Sequence, residues 1–103
     1  MTPPYIIRPM ILTDIDSSAA IEKTVFSDPW PKSAFRELLQ EDNRINYVAV
    51  TPEGAIVGYI LAQLAADELQ IQNIAVVPEF RRQQLGAALL RKAEADGVSH
   101  GAL

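Results

Sequence analysis

What this sequence lacks already narrows its chemistry. None of its 103 residues is cysteine, which excludes a disulfide scaffold, a Cys-ligated zinc or iron site and a thiol nucleophile. A single histidine, His100, argues against His-rich metal sites and against a Ser-His-Asp triad. No apolar run approaches the ~18 residues of a membrane span. Pro3 and Pro4 stand where a signal peptide would carry its apolar stretch. These two points predict a soluble, cytoplasmic protein with no membrane partner. Basic side chains are scarce, and the net charge of −4 argues against a nucleic-acid partner. The phosphate-loop pattern GxxxxGK[ST] is missing, and the five glycines never form GxGxxG.

What is present suffices for one small domain over 1–103. With 49% hydrophobic residues the chain can fill a core, although a domain of this size buries only roughly 60–65% of its unfolded surface. Tyr5 to Met10 reads as a first strand, stopped by Pro9. Thr13 then offers an N-cap with acids in the first turn, before helical spacing of Ile15, Ala19, Ala20, Ile21, Val25 and Phe26. Pro29 and Pro31 break that helix around Trp30, and Lys32 to Gln40 restarts one with Phe35, Leu38 and Leu39 on a single face. Ile45 to Val50 and Ala55 to Gln63 read as a hairpin around Thr51-Pro52-Glu53-Gly54. A third meander strand follows the turn at Asp67-Glu68; Leu69, Ile71 and Asn73 alternate with Gln70, Gln72 and Ile74 before Ile74-Ala75-Val76-Val77 and the closing Pro78. Gln83 to Ala95 is the last helix, with Leu85, Leu89, Leu90 and Ala93 inward and Gly97 as C-cap. Val98 to Leu103 finds no partner in the remaining sequence.

Charge is unevenly spread. Residues 1–80 hold five basic side chains against eleven acidic ones, whereas 81–103 hold Arg81, Arg82, Arg91 and Lys92 against Glu94 and Asp96. The basic end begins where a buried strand meets a helix, and this order is that of an anion site. The free N–H groups and positive dipole end of a helix face a position where a phosphate can sit, Arg81 and Arg82 add charge, and a glycine lets backbone come close to a ligand. Taken alone, Arg81-Arg82 reads as a solvated pair at a helix entry, and Gly86 as a helix glycine tolerated for packing. The strand before them and Leu85-Gly86-Ala87-Ala88-Leu89-Leu90 after them favour the anion site.

The stretch Arg81 to Ala87 resembles the coenzyme-A motif R/Q-x-x-G-x-G/A of the GCN5-related N-acetyltransferases (GNAT superfamily). Asp28-Pro29-Trp30, Phe35, Gly58-Tyr59, Asp67-Glu68 and Asn73-Ile74-Ala75-Val76 together resemble its RimI subfamily, which acetylates the N-terminal alanine of ribosomal protein S18. The likeness runs from about Ile6 to Gly97. It implies a mixed α/β (α+β) GNAT fold, with acetyl-CoA as cosubstrate, a protein N-terminus, such as that of ribosomal protein S18, as acceptor, and no metal. It further implies that the backbone of Ile74, Ala75 and Val76 pairs with the pantetheine arm. N–H groups across Arg81, Arg82, Gln83, Gln84, Leu85, Gly86 and Ala87 would cradle the pyrophosphate, and a backbone N–H on the strand ending at Val76 would polarise the thioester carbonyl.

Two features depart from that pattern. Gln84 occupies the first glycine position, where a positive φ would cost a side chain roughly 1–2 kcal/mol; on this basis Gln84→Gly is expected to tighten acetyl-CoA binding. The glutamate base and tyrosine acid of RimI-like proteins lie beyond the position matched by Leu103, so the resemblance supplies neither. The nearest acid on the strand before the phosphate loop is Glu68, a weak candidate base that reads more simply as a solvated turn carboxylate. Trp30 reads as a core anchor, Tyr59 as packing or acceptor contact, and His100 as an exposed bystander. Acetyl transfer is the leading function. The alternatives are a non-catalytic coenzyme-A binding remnant and an interaction module whose open sheet edge recruits a strand or self-associates.

Overall fold

The computed structural model describes residues 4–101, with Arg82 and Gln83 described in backbone alone; Ala102 and Leu103 of the predicted tail lie outside the described residues. Four antiparallel strands form one sheet in sequence order: β1 (Ile6–Pro9), β2 (Arg44–Val50), β3 (Ile56–Ala65) and β4 (Glu68–Val76). Helices α1 (Ile15–Val25) and α2 (Lys32–Gln40) cover one face, and α3 (Leu85–Ser99) covers the other. This accounts for β2 and β3, whose apolar runs have no polar face because both faces are buried.

Each face has its own core. Ile15, Ala19, Ile21, Phe35, Val48, Tyr59, Leu61 and Ala75 fill the α1–α2 side. Ile45, Tyr47, Ala49, Ile60, Ala62, Val76, Leu85, Leu89 and Ala93 fill the α3 side. Trp30 packs edge-on to Phe35 at 6.4 Å, and Phe35 to Tyr59 at 5.7 Å. Trp30 is therefore an anchor as predicted. Tyr59 is fully buried, which settles it as packing rather than acceptor contact.

The predicted N-cap is corrected. A short 3-10 turn, Leu12–Asp14, precedes α1, and Asp14 rather than Thr13 closes it. The Asp14 carboxylate accepts the Ile11 N–H at 2.8 Å and a two-pronged contact from Arg8 at 2.8 and 2.9 Å. A buried acid with a guanidinium partner satisfies the turn more fully than a threonine hydroxyl could.

The last helix starts and ends later than the sequence suggested. It begins at Leu85, because Pro78–Gln83 winds into a 3-10 turn, and runs to Ser99. Leu85, Leu89, Ala93 and Gly97 are buried at four-residue spacing. Gly97 is thus an interior glycine on the sheet-facing stripe, and Leu90 points outward, 37% exposed. Gly101, at φ +109°, takes the left-handed position after the helix that Gly97 was expected to fill. His100 is not in a loose tail: its backbone N–H caps α3, and its Nδ1 lies 3.2 Å from Asp96.

Gly58 on β3 lies directly under α3. A Cβ there would stand 3.1 Å from the Ala75 carbonyl oxygen and 3.3 Å from both Leu85 Cδ2 and Leu89 Cδ1. The backbone oxygen cannot swing aside. Gly58→Ala is expected to lower the unfolding free energy by about 1–2 kcal/mol, overpacking outweighing the lost flexibility of glycine. Chemical denaturation of the two proteins checks this, and a stabilised variant would show that α3 sits further from β3.

Candidate functional site

The site is built where β4 ends and α3 begins. The Val77 N–H donates to Val57 C=O at 2.9 Å. With the register Tyr59↔Ala75 and Leu61↔Asn73, the hydrogen-bonded pairs of this ladder are therefore those of Val77, Ala75 and Asn73. Backbone groups of Ile74 and Val76, in the intervening pairs, point away from β3. Among the described residues no strand lies beyond β4, so these groups form an open edge. Two of the four are engaged locally: the Ile74 N–H donates to Asn73 Oδ1 at 3.1 Å, and Val76 C=O accepts from Arg81 Nε at 3.3 Å. Ile74 C=O and Val76 N–H face outward.

A β-bulge makes this arrangement possible. Leu61 pairs with Asn73 but Ala62 pairs with Ile71, so Gln72 is an extra residue. Below the bulge Leu69 and Ile71 lie on the α3 face; above it Ile74 and Val76 take that face, and Asn73 and Ala75 turn to the α1 side. The predicted alternation that grouped Leu69, Ile71 and Asn73 is thus corrected, because one inserted residue reverses every following side chain. Arg44, its side chain nearly buried, donates to Gln72 Oε1 and to Asn46 Oδ1, pinning the bulge.

At the start of α3 the first amides stand ahead of the helical hydrogen-bond ladder. The Ala88 N–H donates to Gln84 C=O at 3.0 Å, so the N–H groups of Leu85, Gly86 and Ala87 precede the first intrahelical bond. The Gln84 side chain does not cap them, and the first turn holds no acid. Exposed Arg81 stands beside this positive helix end. Arg82 and Gln83 belong to the turn by backbone, and their side chains lie outside the described residues. The Leu85 side chain is fully buried and faces the core, so only its backbone is available. A Cβ on Gly86 would meet only Val76 Cγ2, at an ordinary 3.9 Å. Packing within the protein therefore does not require a glycine there.

Gln84 adopts φ +57° and ψ +26°, the left-handed conformation. A side chain held in this conformation costs the fold stability. Gln84→Gly is expected to raise the unfolding free energy by roughly 0.5–1 kcal/mol, the relief being partly offset by the freer unfolded chain. A lowered denaturation midpoint would contradict the left-handed assignment.

Sequence reasoning missed one side chain. Glu22 on α1 is 1% exposed. Its Oε1 accepts from the Tyr59 hydroxyl and, at 2.6 Å, from Asn73 Nδ2; its Oε2 accepts the Trp30 N–H at 3.0 Å. The Tyr59 hydroxyl is pushed well above the ordinary tyrosine range, by burial first and then by the hydrogen bond to Glu22 and its charge. The signal was present in the pattern, since Glu22 falls on the stripe of Ile15, Ser18 and Ala19, where an acid needs buried partners. Glu68, by contrast, is exposed at the far end of β4, roughly 20 Å from Ala75 on strand rise alone. The structure does not bring it to the site. No cluster of metal-ligating side chains occurs among the described residues, and none of their helices is long and apolar enough to cross a membrane.

Comparison with known proteins places this strand, turn and helix in a family. A Bacillus subtilis (strain 168) protein, named as a candidate ribosomal protein bS18-alanine N-acetyltransferase, is 39% identical over 87 residues, 84% of this chain and 58% of its own. The Escherichia coli (strain K12) ribosomal protein bS18-alanine N-acetyltransferase is 33% identical over 78 residues, 76% of this chain and 51% of its own. The crystal structure of the Escherichia coli ribosomal-protein-S18-alanine N-acetyltransferase superposes with a TM-score of 0.85 at 28% identity, covering 95% of this chain and 62% of that one. The chain thus spans little more than half the length of these curated relatives. Residues 15–103 match the model of the Acetyltransferase (GNAT) family, and the chain belongs to that family.

Proposed function

We propose that this chain binds acetyl-CoA along the open edge of β4 and the first turn of α3, and serves transfer of the acetyl group to the α-amine of a protein N-terminus, that of ribosomal protein bS18. The observation that carries this reading is the pairing of two features a few residues apart. Ile74 C=O and Val76 N–H form an outward acceptor and donor on a strand edge, suited to an extended amide-bearing arm such as pantetheine. Beyond the turn lie uncapped amides and a glycine that internal packing does not demand, suited to a pyrophosphate. The similarity to two bS18-alanine N-acetyltransferases supports the choice of acceptor.

On this reading the amine nitrogen attacks the thioester carbonyl carbon, a C–N bond forms, and the C–S bond breaks. The amine loses a proton and the departing thiolate gains one. A backbone N–H at the β4 edge polarises the carbonyl as negative charge develops on its oxygen. An α-amine with a pKa of about 7.7–8.0 is partly free at neutral pH, so a modest base suffices. A second reading is that the chain binds coenzyme A without transferring, since the edge and helix entry serve binding alone. An open β4 edge also supports pairing with a strand of another chain.

Calorimetric titration with acetyl-CoA, followed by an acetyl-transfer assay on a peptide beginning with alanine, separates the readings. Saturable binding with transfer is the expected result; binding alone supports the second reading, and absence of binding removes both. Bound ligand at 100 times its Kd should add about 2.7 kcal/mol of stability.

A further inference from the structure

We infer that Glu22, buried on α1 and out of reach of the β4 edge, is a positioning residue for that edge, acting through Asn73 to decide which backbone donor the cofactor arm meets. This rests on the reading of the edge as the acetyl-CoA site. A carboxylate only accepts hydrogen bonds. With Glu22 Oε1 2.6 Å away, Asn73 must turn its NH2 toward α1, and its Oδ1 is thereby directed onto the Ile74 N–H at 3.1 Å. The Ile74 donor is thus consumed from within, and Val76 N–H is left as the outward donor beside Ile74 C=O. An extended arm then finds one register on the edge. Were both N–H groups free, two registers two residues apart would compete, one of them displacing the thioester by a full pleat repeat.

The other partners of Glu22 keep its carboxylate in place. The Tyr59 hydroxyl shares Oε1, and the Trp30 N–H holds Oε2, so the acid is tied to β3 and to the α1–α2 connection as well as to β4. The bulge at Gln72 is what turns Asn73 toward α1 at all. Glu22→Gln changes this arrangement with little change of volume. A glutamine can present either its oxygen or its NH2, so Asn73 is no longer obliged to present Oδ1 to the edge.

Amide hydrogen exchange followed by NMR tests the claim without any cofactor. In the native protein the Ile74 amide should exchange at least tenfold more slowly than the Val76 amide, although both face outward. In Glu22→Gln that difference should largely vanish, whereas in Tyr59→Phe, which removes another partner of the same carboxylate, it should persist. The dissociation constant for acetyl-CoA should rise tenfold or more in Glu22→Gln and in Asn73→Ala, with the double variant no weaker than Asn73→Ala alone, and less than threefold in Tyr59→Phe. Equal exchange at Ile74 and Val76 in the native protein, or additive losses in the double variant, would overturn the inference. If native protein shows the exchange difference but binds no acetyl-CoA, the cofactor reading of the edge fails instead, and the positioning role with it.

Discussion

Leu89→Ala should lower the unfolding free energy by about 2–5 kcal/mol, the range for emptying a buried leucine site. Leu89 is completely buried, the second member of the stripe Leu85, Leu89, Ala93 and Gly97 by which α3 meets the sheet. Its Cδ1 lies 3.3 Å from where a Gly58 Cβ would be, so little space exists for neighbours to collapse into the void. Against a total stability on the order of 5–15 kcal/mol for a domain of this kind, the loss is large. With a urea slope of about 1–3 kcal/mol/M, the midpoint should fall by on the order of 1–3 M. Ligand binding should weaken in the same measure as the folded population, because α3 carries the uncapped amides. A change below about 1 kcal/mol would show that α3 is not seated as described.

Gly86→Ala should move stability and binding in opposite directions. In the first turn of α3, replacing glycine by alanine favours the helix by up to about 1 kcal/mol, and the new Cβ meets only Val76 Cγ2 at 3.9 Å. The folded protein should therefore become more resistant to urea. On the proposed reading the same methyl group stands where backbone would come close to a pyrophosphate, and acetyl-CoA affinity should fall at least tenfold, or about 1.4 kcal/mol. Denaturation and calorimetry on one preparation read both effects. Unchanged affinity would remove the first turn of α3 from the proposed site. Loss of stability would mean that the glycine is there for packing.

The contrast between Gly86 and Gly58 shows what a sequence can and cannot reveal about glycine. Both look alike in the chain, as single glycines inside regular elements. Only in the folded protein does Gly58 lie under two leucines of α3 and a carbonyl oxygen, while Gly86 leaves room for a Cβ in ordinary contact with Val76. Gly97 misled for the same reason. Its position near the end of an apolar stripe suggested a C-cap, but Gly97 is itself the last buried member of that stripe and the helix continues through it to Ser99.

The two helices of the N-terminal hairpin, the meander and the strand-to-helix junction were legible because each depends on local signals. Proline pairs around Trp30 stop one helix and admit another, apolar alternation marks half-buried strands, and β-branched runs mark buried ones. Leu89 and Leu85 could be placed inward from spacing alone. The candidate residues Ile74, Ala75, Val76, Leu85, Gly86 and Ala87 adjoin in sequence, so their gathering at one junction required only that the strand and helix form.

Two features of the site had no such local signature. Pairing partners create the bulge at Gln72: only the register of β4 against β3, with Arg44 holding the extra residue, reverses the faces of Asn73 and Ile74. The role of Glu22 is exerted through Asn73, 51 positions away, and its carboxylate is also held by Tyr59, 37 positions away. A charged residue on an apolar stripe announces that it has partners without saying which.

By itself, then, the sequence determined the element order and a basic, glycine-containing helix entry after a buried strand, since both follow from propensity and periodicity over a few residues. Tertiary structure alone decided which donors the β4 edge presents, why Gly86 is free of packing, and what a buried acid on α1 controls. Those depend on register and on contacts between distant segments, and a one-residue shift in pairing would have inverted each of them.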